Sequence, residues 1–153
     1  MANSVSVEVD LSVTLAQLSR LEQAAQQGLR KGVYAGAKFL RLEVEVNAPM
    51  SQQAHIFRGK TGREYLFYPG DLRKSIYIKY VPENSRHGVR EEYRVGYREN
   101  PSVLGYVPYA HMVEYGTVKT PPVAFLRGTY ESNKVRIMQI IEKSILESIE
   151  QHD

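Results

Sequence analysis

The sequence predicts an α+β fold: a long N-terminal helix and a C-terminal helix packed on a small, mainly antiparallel sheet, with an inserted β-hairpin. Three observations point there. Apolar residues recur at steps of three and four from Leu15 to Leu40, and a second apolar stripe runs from Phe125 to Ile149. Between those stretches, runs of Tyr, Phe, Ile and Val alternate with polar residues. Polar and glycine-bearing turns separate the runs. A chain of 153 residues suits one domain, residues 1–153, with a core of its own.

The alternation of VSVEVDLSV, Val5 to Val13, predicts a short first strand. Thr14 and Gln17 then form a capping box, each side chain answering a free backbone N–H at the start of a helix. Leu15, Leu18, Leu21, Ala25, Leu29, Val33, Ala37 and Leu40 are its apolar stripe. Pro49 disfavours helical geometry at Ala48, so the helix stops by about Asn47. Residues 50–69 carry the insertion, a hairpin turning at Gly59, Lys60, Thr61 and Gly62. Asp71 caps a short turn. A strand follows with Ile76, Ile78 and Tyr80 on one face, and its antiparallel partner carries Val89, Tyr93, Val95 and Tyr97. Pro121 and Pro122 lead into the last helix. Its expected stripe is Phe125, Leu126, Tyr130, Val135, Met138, Ile141, Ile145 and Ile149.

Composition removes several function classes. With no cysteine, disulfides, thiolate chemistry and thiol-built zinc sites are excluded. No apolar run approaches the ~18 residues of a membrane span, so no membrane partner is expected. The opening MANSVSVEVD lacks the basic and apolar regions of a signal peptide. A formal net charge of +3 permits nucleic-acid contact without arguing for it.

Each chemical motif has a plainer alternative. Gly59-Lys60-Thr61 ends like a phosphate-binding loop, but Ala54 stands where that motif needs glycine, so a hairpin turn is expected. His111 and Glu114, three apart, share a helical face as acid–base pairs and metal ligands do. No third ligand and no nucleophile motif accompanies them, so no catalytic or metal residue and no cofactor is expected. Arg58, Lys60 and Arg63, interleaved with Phe57, Tyr65, Phe67 and Tyr68, resemble a groove for single-stranded nucleic acid, where bases stack on rings between cations. Glu64 and Asp71 interrupt the charge, and a hairpin with one packed face is preferred. Arg90, Arg94 and Arg98, broken by Glu92, form a solvated sheet face or a partner surface. Eleven tyrosines without a tryptophan suit surfaces that are exposed before assembly and buried after it.

Several segments in order resemble one known family. Gly70 to Ile76, GDLRKSI, is similar to its T-G-x-L-R-x-S-I element, and Tyr93 to Gly96 to its v-x-V-G strand. Tyr109, Ala110, Val113, Glu114, Tyr115, Gly116 and Thr117 match its Y-A-x-x-V-E-[FY]-G-T box. Pro122, Phe125, Leu126 and Arg127 resemble its P-x-P-F-L-R entry to a C-terminal helix. The family is the head–tail joining and tail-completion proteins of long-tailed bacteriophages and prophages. Two departures stand out: the 50–69 insertion, and Gly128 where the family commonly has proline.

The resemblance implies a non-enzymatic virion protein of the neck or upper tail, assembled in the host cytoplasm as a ring, commonly sixfold. Its partners would be further copies of itself, tail-tube and head-connector proteins, and, transiently, the double-stranded DNA in the lumen. A strict tail-tube terminator is the nearest alternative, and a single-strand-binding hairpin the more distant one. Copies joined head to tail need two different patches. The hairpin is a candidate for one, and the long helix or the sheet edge for the other. Within the box, Tyr109 and Ala110 are expected under the sheet, Glu114 paired with Arg73, and Gly116 in a tight turn. The 117–122 loop then projects towards a neighbour.

Overall fold

The computed structural model describes residues 8–99 and 104–152. Helix α1, Ser12–Asn47, runs for 36 residues, about 54 Å at the usual rise. Strands β1, His55–Arg58, and β2, Glu64–Phe67, form the inserted hairpin, with Arg58 opposite Glu64. A short helix α2, Asp71–Lys74, leads into β3, Ile76–Tyr80. Strand β4, Tyr93–Tyr97, pairs antiparallel with β3 and sets Ile76 against Tyr97. Helix α3 covers Ala110–Tyr115 and helix α4 covers Arg127–Glu150. The two strand pairs are separate two-stranded sheets. The architecture is therefore the predicted α+β one, with the hairpin as its own small sheet.

The core lies where the C-terminal end of α1 meets both sheets. Val44, Ala48, Phe67, Leu72, Ile76, Tyr97, Val107, Ala110 and Phe125 form one buried cluster. The hairpin belongs to it: Phe67 is buried there, and Phe57 and Tyr65 pack against it.

Helices α1 and α4 lie antiparallel, and their close approach has a specific cause. The fully buried face of α1 is a row of small residues at every fourth position, Ala24, Gly28, Gly32 and Gly36. A Cβ on Gly32 would stand 2.9 Å from the Ile141 carbonyl oxygen; one on Gly28 would stand 2.8 Å from the Ile145 Cα. Glycine here lets one backbone seat on the other. At the end beside the core, Asn47 donates to the Thr129 hydroxyl at 3.1 Å.

Five expectations change. Residues 5–7 of the expected first strand lie outside the described residues; Val13 of that stretch is already helical. The helix starts at Ser12, whose N–H is taken by the Asp10 carboxylate at 2.9 Å, so Asp10 does the work expected of Thr14. Leu11, Leu15 and Leu18 repeat at helical spacing, which outweighed the shorter period-two pattern. Leu15 and Leu18 are nevertheless exposed, because α4 ends before it reaches them. Val89 is exposed and outside β4, since Arg86 and Arg90 close a local bridge around it. Helix α4 begins at Arg127, not at the prolines; Phe125, Leu126, Ile141 and Ile145 of the expected stripe turn inward, and the rest of the inward face differs. Thr129 and Ser148 are buried and Ile137 and Ile141 meet the glycine row, while Tyr130, Val135 and Met138 face outward. A glycine groove selects whatever fits against it, so hydrophobicity alone did not give the phase.

Candidate functional site

The Tyr109–Thr117 box sits where the chain leaves the β3–β4 sheet and enters α4. Ala110 is fully buried, and its N–H donates to the Val107 carbonyl. Tyr109 packs less on the β3–β4 sheet than on the hairpin, with ring centroids 5.0 Å from Phe67 and 5.2 Å from His55. Burial raises its phenol pKa. The box thus anchors the insertion.

Glu114 is fully buried, with 0% exposure. Its carboxylate accepts from the backbone N–H groups of Leu126, at 2.8 Å, and Arg127, at 3.0 Å. The Arg127 Nε donates to it as well, at 3.0 Å. Among the described residues, no side chain local to the start of α4 caps it. Glu114, twelve residues upstream, answers its free N–H groups and places an anion at the positive end of the helix dipole. The backbone reinforces this clasp: Val123 N–H donates to Val113 O, and Ala124 N–H to Glu114 O. Tyr115 is exposed and lies under the Arg127 guanidinium, 4.7 Å from its ring centroid.

The expected Arg73–Glu114 pair is not formed. Arg73 Nε donates to the Ala48 carbonyl at 2.9 Å, and a second guanidinium nitrogen to Val46 O at 3.2 Å. Arg73 therefore closes the C-terminal end of α1, where a cation meets unsatisfied carbonyls. The two opposite charges each serve a helix end instead of each other. The Leu-Arg of the Pro122–Arg127 motif was the visible hint that Glu114 had a nearer cation.

Gly116 has φ 78°, and a Cβ there would come within 2.7 Å of the Pro122 nitrogen. Only glycine closes this turn. Thr117 Oγ1 accepts from the N–H groups of Lys119 and Thr120, and Thr117 N–H donates to Thr120 O at 2.8 Å. The loop is an ordered knuckle, fully exposed at Val118. Phe125 is buried beside Tyr97, with ring centroids 5.9 Å apart, and Leu126 packs partly buried against the same cluster. Burial, chiefly, pushes the Tyr97 phenol up to about 12, with Glu99, Tyr115 and Glu114 adding negative potential.

Of the hairpin residues, Phe57, Tyr65 and Phe67 face the core, and Tyr68 is exposed. Phe67 is thus buried and Phe57 and Tyr65 are half-buried, which reduces the ring surface open to bases. Arg58 pairs with Glu64, and Arg63 lies 5.4 Å from the Tyr65 ring centroid. The outward hairpin face carries two cross-strand pairs, the exposed Ile56 and Leu66 and the ion pair of Arg58 with Glu64. His111 is exposed while Glu114 is buried, and the two do not pair among the described residues. Those residues include no group of three or more metal-ligating side chains. None of their helices is long and apolar enough to cross a membrane.

Sequence reasoning missed one buried acid. Glu91 has a side chain with 0% exposure, and the His87 Nδ1 lies 3.4 Å from its carboxylate. Neither carboxylate oxygen finds a hydrogen-bond partner among the described residues. No family model, curated protein or solved structure matches the chain.

Proposed function

We propose that the protein is a non-enzymatic structural component of the neck or upper tail of a long-tailed bacteriophage. In this reading it completes the tail and joins it to the DNA-filled head, working as an oligomeric ring against tail-tube and head-connector proteins. It is made in the host cytoplasm and ends in the virion, where passing DNA touches it only transiently.

The observation that carries the reading is the use to which Glu114 is put. A fully buried carboxylate held by two backbone N–H groups and an arginine presents no exposed oxygen to a substrate. Its work is to fix the start of α4 and, through Gly116, to hold the 117–122 knuckle out from the body. The family-like boxes thus act as a brace for a projecting surface. Large exposed apolar residues at Leu15, Leu18, Ile56, Leu66 and Val118 suit a protein completed by assembly.

The test is the mass of the purified protein, alone and with isolated tail tubes. Co-sedimentation with tubes, and tails that accept heads only after the protein is added, are the expected results. Tubes that ignore it, and tails that join heads equally well without it, refute the reading.

A further inference from the structure

The buried carboxylate of Glu91 has a neighbour whose charge changes with pH. Glu91 follows a tight turn between Arg86 and Arg90. Arg86 N–H donates to Arg90 O at 2.6 Å, and the N–H groups of Val89 and Arg90 donate to Arg86 O at 2.9 and 2.8 Å. At the tip Gly88 takes φ 75°, and a Cβ there would stand 2.6 Å from the Gln26 side chain. The turn therefore rests on α1. Its His87 also walls a groove of about 390 Å³, together with Gln27, Arg30, Lys31, Tyr34 and Tyr93.

Two basic groups approach Glu91, and neither gives it a hydrogen bond. From α1, Arg30 is near enough to feel the charge. Its strongest influences are the Tyr93 hydroxyl and then Tyr80, whose ring centroid is 4.8 Å away, with Glu91 the weakest. Arg90 is turned towards Glu92, 3.5 Å away. From the turn itself, His87 brings its Nδ1 to 3.4 Å from a carboxylate oxygen, while its side chain is 66% exposed.

A neutral imidazole bears one N–H, which solvent can claim at Nε2. An imidazolium bears both, one of them on the nitrogen facing Glu91. A buried carboxylate without a hydrogen bond is costly, and a charged donor relieves more of that cost than a neutral one. Arg30 and Lys31, on the α1 side of the groove, oppose a proton on His87 and limit the effect.

We infer that His87 and Glu91 form a proton-operated clasp on the 86–91 turn: with His87 charged the turn is held on α1, and with His87 neutral it opens more readily. Closing is then linked to proton uptake. The clasp is at full strength below about pH 6, where histidine is charged, and is lost as pH rises to about 8. Opening the turn removes one wall of the groove, so the surface shown between Gln27 and Tyr34 changes with pH. Nothing in this clasp depends on the tail reading.

Amide hydrogen exchange of the full chain from pH 5.5 to 8 tests the clasp, each rate being divided by the intrinsic rate at that pH. The amides of Arg86 and Arg90, which close the turn, report its opening. Their protection is expected to fall about fivefold across this range. His87→Gln and Glu91→Gln should each flatten the fall, while His55, His111 and His152 still titrate. His87 is exposed, so His87→Gln leaves the core untouched and decides the matter even where Glu91→Gln fails to fold. A flat profile in the wild type, or a fall that survives His87→Gln, overturns the inference. So does a fall that survives in a folded Glu91→Gln, since the acid would then not be the partner.

Discussion

The two ends of the helix pair are built in opposite ways. At the end where α1 stops and α4 starts, each terminus is closed by a distant side chain: Arg73 on the last carbonyls of α1, Glu114 on the first N–H groups of α4. Both sheets and the buried cluster gather around that end. At the other end α1 runs on alone, and its leucines meet solvent. Stability is therefore concentrated where the box residues are, while the bare end is free to change without cost to the fold. The same contrast holds between two buried acids: Glu114 is held by three hydrogen bonds, while neither carboxylate oxygen of Glu91 is hydrogen-bonded among the described residues.

Breaking the clasped end should have the largest effect. Glu114→Ala removes two charge-assisted caps and opens a gap, and should cost about 3 kcal/mol in urea unfolding. A loss below about 1 kcal/mol would show that the clasp is incidental. Next is the helix seam. Gly32→Ala would stabilise an exposed helix by about 1 kcal/mol; here its Cβ meets a backbone oxygen at 2.9 Å. A net loss of about 2 kcal/mol is expected, read as a lower Tm.

Alkaline titration probes the same end. Tyr97 holds its proton up to about 12 when folded, whereas an unfolded tyrosine releases it near 10. Stability is full below about pH 10 and should fall by about 1–2 kcal/mol as pH rises towards 12. Tyr97→Phe should flatten that fall, and an unchanged profile would reject the assignment. Glu91→Gln should go the other way. Removing a buried carboxylate that lacks hydrogen bonds while keeping its shape should raise stability by about 1 kcal/mol. A loss as large as that of Glu114→Ala would mean that Glu91 is as well served as Glu114. The smallest effect belongs to the bare end. Leu15→Ser with Leu18→Ser should shift the unfolding free energy of the monomer by less than about 0.5 kcal/mol.

Periodicity and punctuation made the element order legible. The Pro49 stop, the Gly59–Gly62 turn and the β3–β4 pairing all stand where their local signals put them. What was illegible is what depends on a partner element. The inward face of α4 is chosen by the glycine row of α1, and Val135 and Met138 look like core until that row is seen. The spacing of Gly28, Gly32 and Gly36 was in plain view, but only a close approach gives it meaning. In the box, Gly116 and Ala110 read correctly because their constraints are local. The Arg73–Glu114 pairing failed because opposite charges in two motifs were taken as each other's partners, when each had a helix terminus nearer to hand.

The glycine row has a consequence for how the protein is born. Three glycines at four-residue spacing weaken the middle of α1 by about 1 kcal/mol each relative to alanine, so that stretch is a poor helix on its own. What sets it is α4, which begins only at Arg127, so α1 stays loosely formed until that later segment has been made and packs along the glycines.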